Sequence, residues 1–270
     1  RNKSLMKTLI TIITVCRNAE AAIEKTIQSV IKQNYPQIEY IIIDGRSTDR
    51  TLEIIGSYED KYPIKVISEP DHGIYDAMNK GLSYATGDYI QFLNAGDTLL
   101  EETTIEQVVN LIQEKKADIF YGNIFYEYAS GIREERSYGP ACAWKIYYAT
   151  GDCINHQAIF ASKRCFEEGF DLSYQICADR DWMMRMHRKG YRYQCLNIPI
   201  CVYLLNENSA SVRMGKKLKE EAERCIKENF PGEYILYAFF EFLRNNAVLS
   251  KMLHGIYRLI YIKNGEQDSK

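Results

Sequence analysis

The stretch Gly87-Asp88-Tyr89-Ile90-Gln91-Phe92-Leu93-Asn94-Ala95-Gly96-Asp97 reads as a buried strand that stops in a polar turn and delivers a carboxylate. An α/β protein brings charge to the mouth of its sheet in this way. Three earlier segments behave alike. Leu9–Val15 runs into Cys16-Arg17-Asn18, Tyr40–Ile43 into Asp44-Gly45-Arg46-Ser47-Thr48-Asp49, and Lys65–Ile67 into Ser68-Glu69-Pro70-Asp71-His72-Gly73. Polar groups gathered at one sheet edge make a ligand site, and the acidity of this one points to a metal-bound phosphate. Asp97 is the natural seat for Mg2+ or Mn2+, which take carboxylate oxygens from protein and the rest from phosphate and water. A lone Asp after a strand is more often a turn residue, so the metal reading rests on the whole set.

The elements that must position these residues alternate. Strand Leu9–Val15 precedes a helix from about Ala19 to Gln33, for which Asn18 is the expected N-cap. Strand Tyr40–Ile43 precedes a helix over Thr48–Tyr58, Ile64–Ile67 one over Ile74–Tyr84, and Tyr89–Leu93 one over Glu101–Glu114. Four βα units predict a mostly parallel sheet covered on both faces. Further on, Ile119–Tyr128, Ala158–Ala161 and Tyr191–Tyr203 read as strands and Asp179–Lys189 as a helix, separated by long irregular stretches at Ser130–Asn155 and Phe170–Cys177.

Composition excludes several classes. A chain of 270 residues, 46% hydrophobic, can bury a full core, and a net charge of −2 gives no reason to expect nucleic acid as a partner. The 8 cysteines are scattered without Cys-x-x-Cys, and Cys153-x-x-His156 is half a zinc site at most, so buried thiols in a reducing cytoplasm are expected. The N-terminus does not read as a signal peptide, and Arg1–Leu5 reads as a leader before a start at Met6. No stretch is apolar for long enough to span a bilayer. The first βα turn, Cys16-Arg17-Asn18-Ala19-Glu20, lacks the glycines that let a backbone approach a pyrophosphate, and no Gly-x-x-x-x-Gly-Lys-Ser/Thr occurs. Dinucleotide-binding and P-loop readings are therefore set aside.

Taken in order, Thr14–Asn18, Asp44-Gly45-x-Ser47-Thr48-Asp49-x-Thr51, Asp71-x-Gly73-Ile74-Tyr75-Asp76-Ala77-Met78-Asn79-Lys80-Gly81 and Gly87-Asp88-Tyr89-x-x-Phe92-Leu93-Asn94-x-x-Asp97 resemble the family 2 glycosyltransferases of GT-A fold, over roughly Leu9 to Tyr203. The resemblance implies an inverting enzyme that takes its sugar from a nucleoside diphosphate (UDP, dTDP or GDP). It places Thr14, Cys16, Arg17 and Asn18 along the nucleobase pocket and makes Asp44 the acceptor for the base imide N–H, with Gly45 and Ser47 beside it. Asp71, Gly73, Asp76 and Asn79 correspond to the segment along ribose and sugar, with Lys80 near the diphosphate. Asn94, Ala95 and Gly96 lead to Asp97, which corresponds to the last carboxylate of the metal-holding element. Two departures stand out: Ala95-Gly96-Asp97 replaces a Ser-Asp-Asp common in the family, and Met78 stands where many members have Arg.

Single-step inversion needs a carboxylate on the acceptor side to take the hydroxyl proton. Cys177-Ala178-Asp179-Arg180-Asp181-Trp182 resembles the family's acid-rich motif, which makes Asp179 the expected base and Asp181 its fallback; by themselves both acids simply suit a helix N-terminus. His156 and Gln157 are expected on the acceptor side or near the metal, and Trp182 either in the core or as a sugar platform. The catalytic unit is expected over 6–211, its donor half over about 6–115 and its acceptor half over 116–211, followed by a helical extension over 212–270. From Val212 to Lys270 there are 11 Lys and Arg against 8 Asp and Glu, and Leu249–Ile262 mixes aliphatic, aromatic and basic residues. An interfacial helix on an anionic membrane, packing on the catalytic unit and an oligomer contact all fit that tail. The expected setting is bacterial cell-surface polysaccharide synthesis in the cytoplasm, peripheral on the membrane, with a glycan or lipid-linked acceptor. Rival readings are a non-catalytic nucleotide-binding relative, raised by Gly96, and a sugar-phosphate nucleotidyltransferase, which should carry a Gly-rich, Arg-containing loop after its first strand.

Overall fold

The computed structural model describes residues 8–139, 153–205 and 213–244. Residues 1–7 and the Leu249–Ile262 segment lie outside this range. The isoleucine-rich run Ile10–Cys16 forms β1, and Ile38–Asp44 forms β2 beside it in parallel register. Both are buried along nearly their whole length, as strands covered on two faces must be. β3 (Ile64–Ser68) extends the sheet on one side and β4 (Tyr89–Phe92) on the other, giving the parallel order β3-β2-β1-β4. The register sets Cys16 level with Asp44, and Asp44 level with Ser68, so β1, β2 and β3 end together, while β4 ends level with Ile13.

The helices α1 (Ile23–Ile31), α2 (Thr51–Glu59), α3 (Ile74–Tyr84) and α4 (Thr104–Glu114) follow these strands. α1 buries Ile23, Ile27 and Val30 completely, a stripe at helical spacing. It begins four residues after the expected start. Asn18 is not its cap: with φ at 50° its side-chain Oδ1 accepts Thr48 N at 2.9 Å instead.

Beyond β4 the sheet becomes mixed. β8 (Ile159–Ser162) runs antiparallel between β4 and β6 (Ile119–Tyr128), and β9 (Tyr193–Leu205) pairs in parallel with β6. Two short strands went unseen in the sequence, β5 (Thr98–Leu99) on the outer side of β9 and β7 (Arg133–Arg136) along β6. α5 (Ala178–Arg188) precedes β9, and α6 (Gly215–Asn229) packs on α5 with α7 (Tyr234–Arg244) following. Among the described residues no helix is long and apolar enough to cross a membrane.

Candidate active site

The loop after β1 and the loop after β2 are laced together at the strand ends. Ser47 Oγ accepts Asn18 N at 2.8 Å, Thr51 Oγ1 accepts Ala19 N at 2.8 Å, and Asp49 Oδ2 accepts Glu20 N at 3.1 Å. At the centre lies Asp44, fully buried. Its Oδ2 accepts Ser47 N at 3.0 Å and Ser68 Oγ at 2.6 Å, while Oδ1 accepts Ser47 Oγ at 2.5 Å and Cys16 Sγ at 3.8 Å. A carboxylate has about four lone-pair positions; an amide and two hydroxyls take three here, and the Cys16 thiol, which also lies 3.7 Å from Ile43 O, is a weak fourth neighbour. Asp44 thus ties the loop after β2 to the ends of β1 and β3 at the floor of the site. Thr14 is likewise buried and shares a hydrogen bond of 3.1 Å with Tyr40, so it belongs to the core rather than to a pocket wall. Burial and then Asp44 push the Cys16 thiol well above its ordinary range, which leaves it a neutral donor. Arg17 is exposed at the rim.

A second carboxylate at the floor is Asp71. Its Oδ1 accepts Gly73 N at 3.0 Å, and its Oδ2 lies so close to Gly45 that a Cβ there would stand 2.0 Å from it. A side chain at Gly45 would have to displace the Asp71 carboxylate. Asp76 caps α3 by accepting His72 N at 2.9 Å, and its pKa is held down by that bond and by Lys80. Lys80 pairs with Glu69 and Asp76, both at 3.3 Å. The Asn79 amide accepts Phe170 N at 2.8 Å and donates to Phe170 O at 2.9 Å.

The second cluster joins the turn after β4, the 156–157 segment and the start of α5. His156 Nδ1 lies 2.8 Å from Asp179 Oδ2, and His156 Nε2 lies 2.9 Å from Asn94 Nδ2. With the ring proton on Nδ1 donated to Asp179, Nε2 accepts from the Asn94 amide. Tyr75 Oη lies 3.0 Å from Asp179 Oδ1 and 2.8 Å from Ile176 O, sharing its proton between them, and Arg180 N donates to the same Oδ1 at 2.8 Å. Burial alone would raise the Asp179 pKa, but hydrogen bonding and electrostatic attraction from His156, then Tyr75, outweigh it and hold the group below the usual carboxylate value. Gln157, the next residue, donates to Asp97 Oδ2 at 2.8 Å, and Leu204 N donates to Asp97 Oδ1 at 3.3 Å. Asp97 is 4% exposed, and burial pushes its pKa up to about 7 against the opposing pull of Gln157 and His156.

Three buried amide oxygens around this cluster have no protein partner: Gln91 Oε1, Asn94 Oδ1 and Gln157 Oε1. Among the described residues no group of three His, Cys, Asp or Glu could hold a metal ion. One carboxylate with partnerless amide oxygens is nevertheless a hard, all-oxygen donor set of the kind Mg2+ and Mn2+ take. Gly96 has φ at 104°, a conformation that side-chain-bearing residues rarely adopt, and donates to Thr26 Oγ1 at 2.9 Å. The missing acid of the Ser-Asp-Asp pattern thus coincides with a turn shaped for glycine, with Ala95 just before it.

Two further expectations change. Asp181 sits on the side of α5 away from Asp179, 3% exposed, accepting Arg185 Nε at 2.7 Å and Asn229 Nδ2 at 2.9 Å. It anchors helices and is not placed to act as a second base. Trp182 is core: it is 2% exposed, stacks on Phe166 at 4.6 Å between ring centroids, and donates to Cys165 O at 2.9 Å. Tyr75 was missed as a site residue, although it stands inside the quoted Asp71–Gly81 motif.

This architecture is the GT-A fold. The family model for glycosyl transferase family 2 matches residues 11–202, and the chain belongs to that family as a glycosyltransferase. It is 30% identical over 182 residues to a PGL/p-HBAD biosynthesis glycosyltransferase of Mycobacterium bovis, covering 66% of this chain and 69% of that protein. In fold it resembles S. aureus TarS 1-349 in complex with UDP-GlcNAc, with a TM-score of 0.65 at 18% identity, covering 86% of this chain and 71% of that one. A mannosyltransferase from Pyrobaculum calidifontis in complex with GDP-Man and Mn2+ gives 0.59 at 14% identity, covering 94% and 81%.

Proposed function

We propose that this glycosyltransferase moves a sugar from a nucleoside diphosphate donor to a hydroxyl of a glycan or lipid-linked acceptor, with inversion, in cell-surface polysaccharide assembly. The observation that carries the mechanism is the chain Asn94–His156–Asp179–Tyr75, which sets one ionised, part-exposed carboxylate across from the Asp97 turn. The acceptor oxygen attacks the anomeric carbon, the bond to the diphosphate breaks, and the hydroxyl proton passes to Asp179. Tyr75 and His156 orient that carboxylate and keep it basic only as far as ionisation allows. Asp97 would hold Mg2+ or Mn2+, with Asn94 Oδ1 and Gln157 Oε1 as the neighbouring oxygens; bound there, the ion neutralises charge on the departing diphosphate. The nucleotide rests on the laced loops of β1 and β2, with Asp44 as the carboxylate for the base imide N–H and Asp71 Oδ2 beside it at Gly45.

The catalytic unit corresponds in this reading to 6–211, and the helices after it form an extension. α7 leaves Ile235 and Phe242 exposed at 78% and 65%, which supports contact with a membrane surface on the cytoplasmic side. The decisive test is Asp179→Asn with the full chain. Nucleotide binding, read by thermal shift with UDP, dTDP or GDP and Mn2+, should be kept while sugar transfer is lost. Transfer at the wild-type rate would rule out Asp179 as the base.

A further inference from the structure

Glu221 lies on α6, beyond the 11–202 segment that the family model matches, yet it is built into the catalytic helix. Its side chain is 4% exposed. Both oxygens accept Gln175 N at 3.0 Å, and Oε2 also accepts Ile176 N at 2.9 Å and Cys177 N at 3.1 Å. These amides lead directly into α5, where donors have no helical partner of their own, and Cys177 stands two residues before Asp179. The carbonyl of the same Ile176 receives Tyr75 Oη, which in turn reaches Asp179. The segment is held from α6 at further points, since Arg224 Nη2 donates to Ser173 Oγ at 2.9 Å and Tyr174 Oη to Glu228 at 2.7 Å. A buried carboxylate is costly unless it is met by donors, and here three backbone amides meet it with Lys217 at 3.8 Å.

We propose that Glu221 is a positioning residue for glycosyl transfer: the C-terminal helix sets where the base stands by gripping the backbone at 175–177. This rests on the reading of Asp179 as the base. Displacing a catalytic group by about 1 Å can cost on the order of 100-fold in rate, so the grip matters for rate as well as for stability.

The test is Glu221→Gln in the full chain. It keeps the side chain's size but turns an amide NH2 toward groups that are all donors. The readout is nucleoside diphosphate released by hydrolysis, using whichever UDP-, dTDP- or GDP-sugar the wild type turns over fastest with Mn2+. In that reaction water oxygen bonds to the anomeric carbon, the bond to the diphosphate breaks, and the water proton goes to Asp179. The expected result is a fall in kcat of about 10- to 100-fold with donor KM within about twofold, because the donor loops belong to other elements. Asn229→Ala, which frees α6 from Asp181 and leaves 175–177 untouched, should keep kcat within about twofold despite a lower melting point. Wild-type kcat in Glu221→Gln, or an equal fall in both variants, overturns the positioning role. Asp179→Asn, run alongside, reports on the base itself; if it keeps full turnover, the base assignment fails and this proposal falls with it.

Discussion

Gln157 Nε2 donates to Asp97 Oδ2 at 2.8 Å, and the residue before it, His156, holds Asp179 at the same distance. One dipeptide therefore ties the carboxylate proposed for the metal to the carboxylate proposed as base. Neighbouring residues in an extended or tight-turn segment face different ways, and this pair uses that to span both halves of the site.

Asp179→Asn should lower sugar transfer by about 100- to 10,000-fold, the usual contribution of a positioned general base. Nucleotide affinity by calorimetry should stay within about threefold of wild type.

His156→Ala removes the leading groups that keep Asp179 ionised and leaves its burial in place. The Asp179 pKa then rises, so activity should survive best at alkaline pH and the acid limb of the kcat profile should move upward. An unshifted limb would mean that His156 does not govern the protonation of Asp179.

Asp97 gives a prediction of opposite sign. Its folded pKa of about 7 lies above the unfolded value, so stability is greatest below the unfolded pKa and is lost as pH rises toward 7. Ionising it costs about 4 kcal/mol at full extent. Asp97→Asn should therefore melt higher than wild type at pH 8 without metal, and the gap should close at acid pH. The same ionisation is what a cation needs, so the part of the melting-point gain with nucleotide that depends on Mn2+ should grow from pH 6 to pH 8 and vanish in the variant.

Asp181→Asn should lower the melting temperature, since it weakens the buried contact with Arg185 Nε and the contact with Asn229. Turnover of the folded enzyme should remain within about threefold of wild type. A loss comparable to Asp179→Asn would restore Asp181 as a catalytic group.

Phe242→Glu places a charge on the exposed face of α7. Co-sedimentation with phosphatidylglycerol vesicles should fall several-fold while hydrolysis of the soluble donor is kept. Equal vesicle binding by both proteins would end the membrane reading of that face.

Ile74–Tyr84 and Ile119–Tyr128 were legible to the residue, because an unbroken helical stripe after Gly73 and an unbroken β-rich run admit one reading each. Where long-range bonds intervene, local pattern misleads. Asn18 has the chemistry of a helix cap, but Thr48 takes its oxygen from 30 residues away. Asp44 carries the family's acid in the family's place, and its bond from Ser68 on the next strand was not legible because it depends on the β2–β3 register. Asp179 and Asp181 look equivalent as text; the helical turn between them sends one to His156 and the other to Arg185. Glu221 had no signal at all, since nothing local marks a glutamate whose partners are backbone amides 44 to 46 residues upstream.

Asn18, Ser47, Thr48, Asp49 and Thr51 lace the β1 and β2 loops through bonds made entirely within the protein. Little conformational freedom remains to be surrendered on that side when donor binds, so the entropy of ordering was met when the chain folded. The donor shelf should then behave as a rigid receptor, with nearly the same amide protection from hydrogen exchange whether empty or filled.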